Sequence, residues 1–186
     1  MTSGSPQLGP EWQPGPDGLP WRAAARVLLL DEQDRVLLVR GHDVDNPGRS
    51  WWFTIGGGID PGESPRAAAV REVAEETGLQ ISQDELLGPV LQRSAVFDFQ
   101  REHVRQDEQF FLARIAAPEK LSTAGWTAIE RSFMDEARWW DLKDLEQVQV
   151  EIFPAGLVGL VQELLAGWDG RVRHLGPDDG VGEGSR

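Results

Sequence analysis

The chain has 186 residues, enough for one sizeable core but short for two domains, and its eight Trp and 40% apolar content mark a folded globular protein. Its formal charge of −13 argues against nucleic-acid backbones and anionic membranes as bulk partners. Small phosphate ligands stay open, because bound divalent cations reverse the field locally.

The absence of cysteine removes disulfides, thiolate metal sites and thiol nucleophiles. With no basic start followed by an apolar run and no span-length apolar stretch, a cytoplasmic protein without membrane contact is the expectation. Residues 1–20 are rich in Gly, Pro and Ser and are expected to form a disordered arm, leaving 21–170 as the folded domain and 171–186 as a polar tail. From Trp21 the apolar runs Ala24–Leu30 and Arg35–Val39, separated by the polar turn 31–34, predict a hairpin. A polar loop over 41–48 follows, in which His42 and Asp43 are candidate substrate contacts. Trp51–Ile55 is a β-prone run leading into three successive glycines, Gly56 to Gly58.

The stretch Gly57–Leu79, GGIDPGESPRAAAVREVAEETGL, organises the rest. Ser64 is placed to cap a helix, Pro65 suits its first position and Gly78 suits a left-handed end. At about 100° per residue, Glu72, Glu75 and Glu76 fall near 0°, 300° and 40°. Ala67, Val70, Val73, Ala74 and Thr77 span about 100° to 220°, which predicts an apolar back and an acidic front. Like charges at this spacing repel, and hard oxygen donors at such density suit Mg²⁺ or Mn²⁺. A solvated acidic face is the alternative reading of the helix alone.

The full spacing Gly57-x5-Glu63-x7-Arg71-Glu72-Val73-x-Glu75-Glu76-x-Gly78-Leu79 resembles the signature of the Nudix hydrolases at every fixed position. The resemblance is specific over 51–79 and looser over about 22–168.

Beyond the signature, Pro89–Leu91 and Ser94–Gln100 read as strands, with Arg101–His103 as a turn and Gln106–Ile115 as the next strand. Phe97 and Phe99 are expected to face Phe110 and Leu112 across that hairpin. Residues 116–129 read as a loop long enough for a lid. Phe133–Trp140 reads as a strand, Leu142–Leu145 as a short helix and Pro154–Trp168 as a terminal amphipathic helix.

The resemblance implies an α/β fold, a Nudix-like α/β/α sandwich with a mixed central β-sheet. It also implies attack of a metal-activated water on a diphosphate linked to another, usually nucleosidic, moiety. Carried over by position, Glu72 and Glu76 would be the principal metal ligands, with the Gly56 carbonyl beside them and Glu75 as the third carboxylate. Arg71 is a candidate substrate contact or, with Glu63, a support for the loop, together with Gly57 and Gly78. The resemblance implies a further carboxylate outside the signature, as general base or extra ligand; Glu108 is the candidate, with Asp107, Glu102 and Glu130 as alternatives. Trp51 and Trp52 are candidates for stacking on a base, with core packing as the competing account. The substrate is expected to be a small nucleotide or nucleoside diphosphate derivative, and a homodimer is an open alternative for assembly. A low-turnover nucleotide-sensing module on the same scaffold is the competing function.

Overall fold

A computed structural model describes residues 8–99, 102–116 and 120–176, so the expected arm and tail are seen only over 8–20 and 171–176. Asp31 makes the first turn. Its buried carboxylate accepts from the N–H groups of Gln33 and Arg35, both at 2.9 Å, and from Arg35 Nε at 2.6 Å. This turn joins β2 (Pro20–Leu30) to β3 (Val36–His42), but the two strands pair only at Leu30 and Val36. They then diverge, β2 to lie between β4 (Ser50–Gly58) and β6 (Glu102–Arg114), and β3 between β4 and β7 (Met134–Trp140). The expected hairpin is therefore a connection more than a ladder.

The sheet has nine strands among the described residues, in the order β7-β3-β4-β2-β6-β5-β9, with β1 (Gln13–Pro14) on β2 and β8 (Glu151–Phe153) on β4. It is mixed: β2 runs parallel to β6, β4 to β8, and β5 (Leu87–Phe99) to β9 (Arg173–Leu175). The two predicted segments at 89–91 and 94–100 are one strand, β5, with an irregularity between Leu87 and Leu91. Its register places Phe97 opposite Val104 and Leu91 opposite Phe110, so the expected aromatic match across the hairpin does not form. Both ends of the chain contribute strands, β1 and β9, beyond the expected 21–170 span.

Helices cover both faces, giving the α/β/α sandwich. One core, under α1 (Pro65–Thr77), contains Val27, Leu29, Ile55, Val73 and Phe111. The other contains Leu28, Leu38, Phe110 and Leu145 of α3 (Leu142–Leu145), with Leu157, Val161 and Leu164 of α4 (Leu157–Ala166). Each such buried side chain is worth about 1.5–3 kcal/mol relative to exposure. Trp52 belongs to this second core. It is 5% exposed and meets Trp140 edge-on at 5.0 Å, so it has no face left for a ligand, which corrects the stacking expectation. No helix among the described residues is long and apolar enough to cross a membrane.

Candidate active site

Helix α1 begins and ends as its sequence dictates. Ser64 Oγ accepts from the Ala67 N–H at 3.1 Å, Pro65 opens the helix, and Gly78 closes it at φ 75° with its N–H on the Ala74 carbonyl. The helix is rotated from the expected acidic-front arrangement. Its buried residues are Ala68, Ala69, Glu72, Val73, Glu76 and Thr77, so two of the three carboxylates face inward. The reason lies in β4. A Cβ on Gly57 would sit 2.6 Å from Glu72 Oε1, so the carboxylate occupies the space that a side chain would fill. Glu76 Oε2 accepts the Gly56 N–H at 3.1 Å.

Glu130 joins them. One carboxylate oxygen each from Glu72, Glu76 and Glu130 lies within 4.8 Å of the others. Glu130 is on α2 (Ala128–Phe133), which begins inside the segment expected to be a loop and runs past its end. It is positioned by a capping box in which Glu130 Oε2 accepts the Thr127 N–H at 2.6 Å and Thr127 Oγ1 accepts the Glu130 N–H at 3.2 Å. The Thr127-x-x-Glu130 spacing was the signal available in the sequence for this helix start. The described part of 116–129 is packed rather than free: Trp126 Nε1 donates to the Glu76 carbonyl at 2.8 Å and the Ser122 N–H to the Thr77 carbonyl at 2.8 Å.

Glu75 lies apart from this group. Its side chain is 46% exposed and its Oε2 accepts from Arg71 Nη1 at 3.2 Å. Arg71 spends all five of its N–H donors. Nε and Nη2 grip Glu63 at 3.0 and 2.8 Å, Nη2 also reaches the Gly58 carbonyl at 2.9 Å, and Nη1 bridges Glu72 at 2.8 Å and Glu75. Nothing remains for a substrate, so Arg71 holds the loop and aims Glu72.

Glu108 corrects the expectation for the base. Its side chain is fully buried, pairs with Arg26 Nε, accepts from Arg93 Nε at 2.6 Å and takes the Gln106 amide at 2.6 Å. Burial alone would raise its carboxyl; the charges of Arg26 and Arg93 outweigh burial and hold it below 4.5. A carboxylate so engaged has neither water nor proton affinity to offer. It anchors Arg26 instead, whose Nη1 donates to the carbonyls of Thr54 at 3.0 Å and Gly56 at 3.1 Å. The Gly56 carbonyl, the expected backbone ligand, thus already carries one hydrogen bond.

Trp51 lies six residues before Gly57, about 20 Å along an extended strand, and carries Arg49 over its ring at 5.8 Å. The aromatics linked to the site are others. Phe53 stacks on Phe133 at 6.5 Å, Phe133 meets Phe99 at 6.4 Å and Phe99 stacks on Trp12 at 5.8 Å. Arg26 lies over Phe53 and Arg22 over Trp12. Sequence periodicity carried no mark of this ring, because its members come from four separate segments.

The donor set fits a hard divalent cation: clustered carboxylates, two of them buried, with Glu76 in no ion pair among the described residues. Burial, opposed by Arg71, pushes Glu72 up to about 7, and burial with the Glu72 charge pushes Glu76 well above 4.5. Without metal, the unfolded chain therefore loses these protons at a lower pH than the folded one. Below about pH 4.5 both states are protonated and the sites cost nothing. As pH rises through 7 the fold loses about 3 kcal/mol for Glu72 alone. In EDTA the melting temperature should fall between pH 5 and 8, and Mg²⁺ should abolish most of that fall. A metal-free melting temperature that is flat over this range contradicts the assignment.

A family model for the NUDIX domain matches residues 20–158. A Bacillus subtilis protein provisionally named an 8-oxo-dGTP diphosphatase is 30% identical over 152 residues, 75% of this chain and 93% of its own length. An RNA pyrophosphohydrolase of Cereibacter sphaeroides is 41% identical over 64 residues, 34% of this chain and only 38% of that protein. Among solved structures, the Nudix domain of Shewanella oneidensis NrtR, complexed with ADP ribose, superposes with a TM-score of 0.57 at 20% identity, covering 77% of this chain and 87% of that one. A MutT protein of Methanosarcina mazei superposes at 0.53 and 21% identity, over 80% and 95% of the two chains. These two structures speak for the fold, and the family model and the Bacillus relative for the lineage: the chain belongs to the Nudix hydrolase family.

Proposed function

We propose that the chain hydrolyses a diphosphate linkage in a nucleotide or nucleoside diphosphate derivative, using Mg²⁺ or Mn²⁺ held by Glu72, Glu76 and Glu130. The observation that carries this reading is the convergence of those three carboxylates within 4.8 Å at a glycine-lined strand end. A bound divalent cation supplies charge neutralisation for the phosphates and a lowered pKa for an attacking water.

The protein's own part is positioning and charge. Arg71 fixes the direction of Glu72 through its Nη1 bond at 2.8 Å. Gly57 gives the Glu72 carboxylate room beside the strand. Glu108 keeps Arg26 against the Gly56 carbonyl, with a cation beside the carboxylates. The water's proton goes to a carboxylate with solvent access, Glu130 or Glu75, since Glu108 has none. The partly exposed ring of Phe53, Phe133, Phe99 and Trp12 suits a nucleobase. The name of the Bacillus subtilis relative makes nucleoside triphosphates, oxidised purines included, the first substrates to try.

The test is a panel of nucleoside triphosphates, nucleotide sugars and ADP-ribose with Mg²⁺ or Mn²⁺, scored for released phosphate, pyrophosphate or nucleoside monophosphate. No release from any member sinks the reading. On the best substrate, Glu130→Gln is expected to raise the Mg²⁺ concentration needed for half-maximal rate at least ~10-fold, and Glu75→Gln less than that. The reverse order would restore Glu75 as the third ligand.

A further inference from the structure

Arg22 is a cation in this region whose bonds do not close. It lies on β2 beside the signature glycines: its Nη1 and Cδ are 3.3 and 3.5 Å from the position a Cβ would take on Gly58. Gly58 in turn follows Gly57, against which Glu72 packs. The Arg22 side chain is only 13% exposed. Its Nε donates to Gln106 Oε1 at 2.6 Å and its Nη1 to Glu11 Oε1 at 3.3 Å. Of the five N–H groups of a guanidinium, the other three have no protein partner among the described residues. Arg71, on the other side of the same loop, uses all five.

The one carboxylate on Arg22 is weakly held. At 3.3 Å it lies beyond the 2.7–2.9 Å of a good charge-assisted bond. It comes from the N-terminal segment, which is tied to the body by the two-residue strand β1, by Trp12 and by Asp17, whose carboxylate accepts from Arg105 Nε at 2.7 Å. The Trp12 ring lies under the Arg22 guanidinium at 4.4 Å and against Phe99, while its Nε1 is buried without a hydrogen-bond partner. Stacking alone holds that ring. A planar, largely desolvated guanidinium with open N–H groups, beside a carboxylate metal centre, matches the geometry and charge of phosphate oxygens.

We propose that Arg22 binds a phosphate oxygen of the diphosphate substrate, and that Glu11 stands in that anion's place until the substrate displaces it. This rests on the diphosphate hydrolase reading above. It makes the N-terminal segment part of the substrate site, with Glu11 as an internal competitor. A plain ion pair tying the segment down has a different consequence: loss of either partner would loosen the segment and shift binding in one common direction.

The experiment is calorimetric binding of a methylene-bridged nucleoside diphosphate with Mg²⁺ to wild type, Arg22→Gln and Glu11→Gln, with turnover measured separately. Arg22→Gln is expected to raise Kd at least ~10-fold, the loss of charge-assisted bonds to an anion. Glu11→Gln is expected to lower Kd about 3-fold, by removing a competing charge that is held by a single 3.3 Å contact. Both substitutions weakening binding, or Arg22→Gln leaving it within about twofold, overturns the proposal. Should Arg22→Gln not fold, Glu11→Gln decides alone: tighter binding supports the proposal, and unchanged or weaker binding overturns it. The expected pattern without any turnover would instead overturn the hydrolase reading and leave Arg22 in place. Turnover with binding insensitive to Arg22 does the reverse.

Discussion

Glu76→Gln is expected to lower kcat at least ~10³-fold, about 4 kcal/mol in barrier, while making the metal-free protein more stable. The two effects share one cause. Glu76 is 3% exposed, and its carboxyl is pushed well above 4.5 by burial and by the charge of Glu72. A charge forced into that place has a use only when a cation occupies the centre. Gln keeps the size and an oxygen for the Gly56 N–H but removes the ligand charge. In EDTA at pH 8 its melting temperature should therefore exceed that of wild type, by about 2–4 °C per kcal/mol for a chain of this size. In saturating Mg²⁺ the order should invert. Steady-state kinetics and paired melts with and without metal check both halves. Activity kept within about tenfold, or a metal-free melting temperature that drops, would remove Glu76 from the centre.

Glu108→Gln is expected to act the other way, costing about 3–5 kcal/mol of stability and sparing the ionisation that governs rate. Glu108 is the common anion of two guanidinium groups, Arg26 and Arg93, whose side chains are 13% and 11% exposed. Removing its charge leaves two largely buried guanidinium groups without an ion-pair partner among the described residues. It also releases Arg26 from its place under the Gly56 carbonyl, so a loss of activity of about 10–100-fold in the folded protein is consistent with a supporting role. The deciding measurement is the pH–rate profile. Were Glu108 the base, its acidic limb would vanish in the variant; with Glu108 as an anchor the limb stays at the same pH. Denaturant unfolding of the same variant should show the stability loss above pH 5, where the wild-type carboxylate is ionised, and the two proteins should converge toward low pH as Glu108 is protonated.

The ends of α1, the glycine turn and the identity of Glu72 and Glu76 were legible because each depends on neighbours in sequence. A cap reaches three residues, a left-handed glycine is one position, and a signature is a spacing. The apolar run of β2 and the strands β6 and β7 were legible for the same reason. The face of α1 was not. Helical periodicity ranks side chains by polarity, and it put Glu72 and Glu76 opposite Val73. The structure buries all three together, because Gly56 and Gly57 leave a hollow that only a helix carboxylate reaches.

The remaining corrections have one origin. Trp52 and Trp51 precede the signature directly, yet alternation along β4 sends Trp52 into the far core against Trp140. Glu108 stands at a strand start that looked like a rim, but Arg26 from β2 and Arg93 from β5 close over it once those strands flank β6. Glu130 lies 54 positions after Glu76 and Arg22 lies 36 before Gly58; no local pattern joins them.

The sequence by itself determined the family, the helix that carries the clustered glutamates and the loop that shapes their approach, since these are set by contacts within a few residues. Tertiary structure alone decided which carboxylate gathers beside Glu72 and Glu76, and that Arg71 spends all its donors on support while Arg22 does not. Those outcomes depend on strand order and register, and on the desolvation of charges that meet only after the sheet has formed.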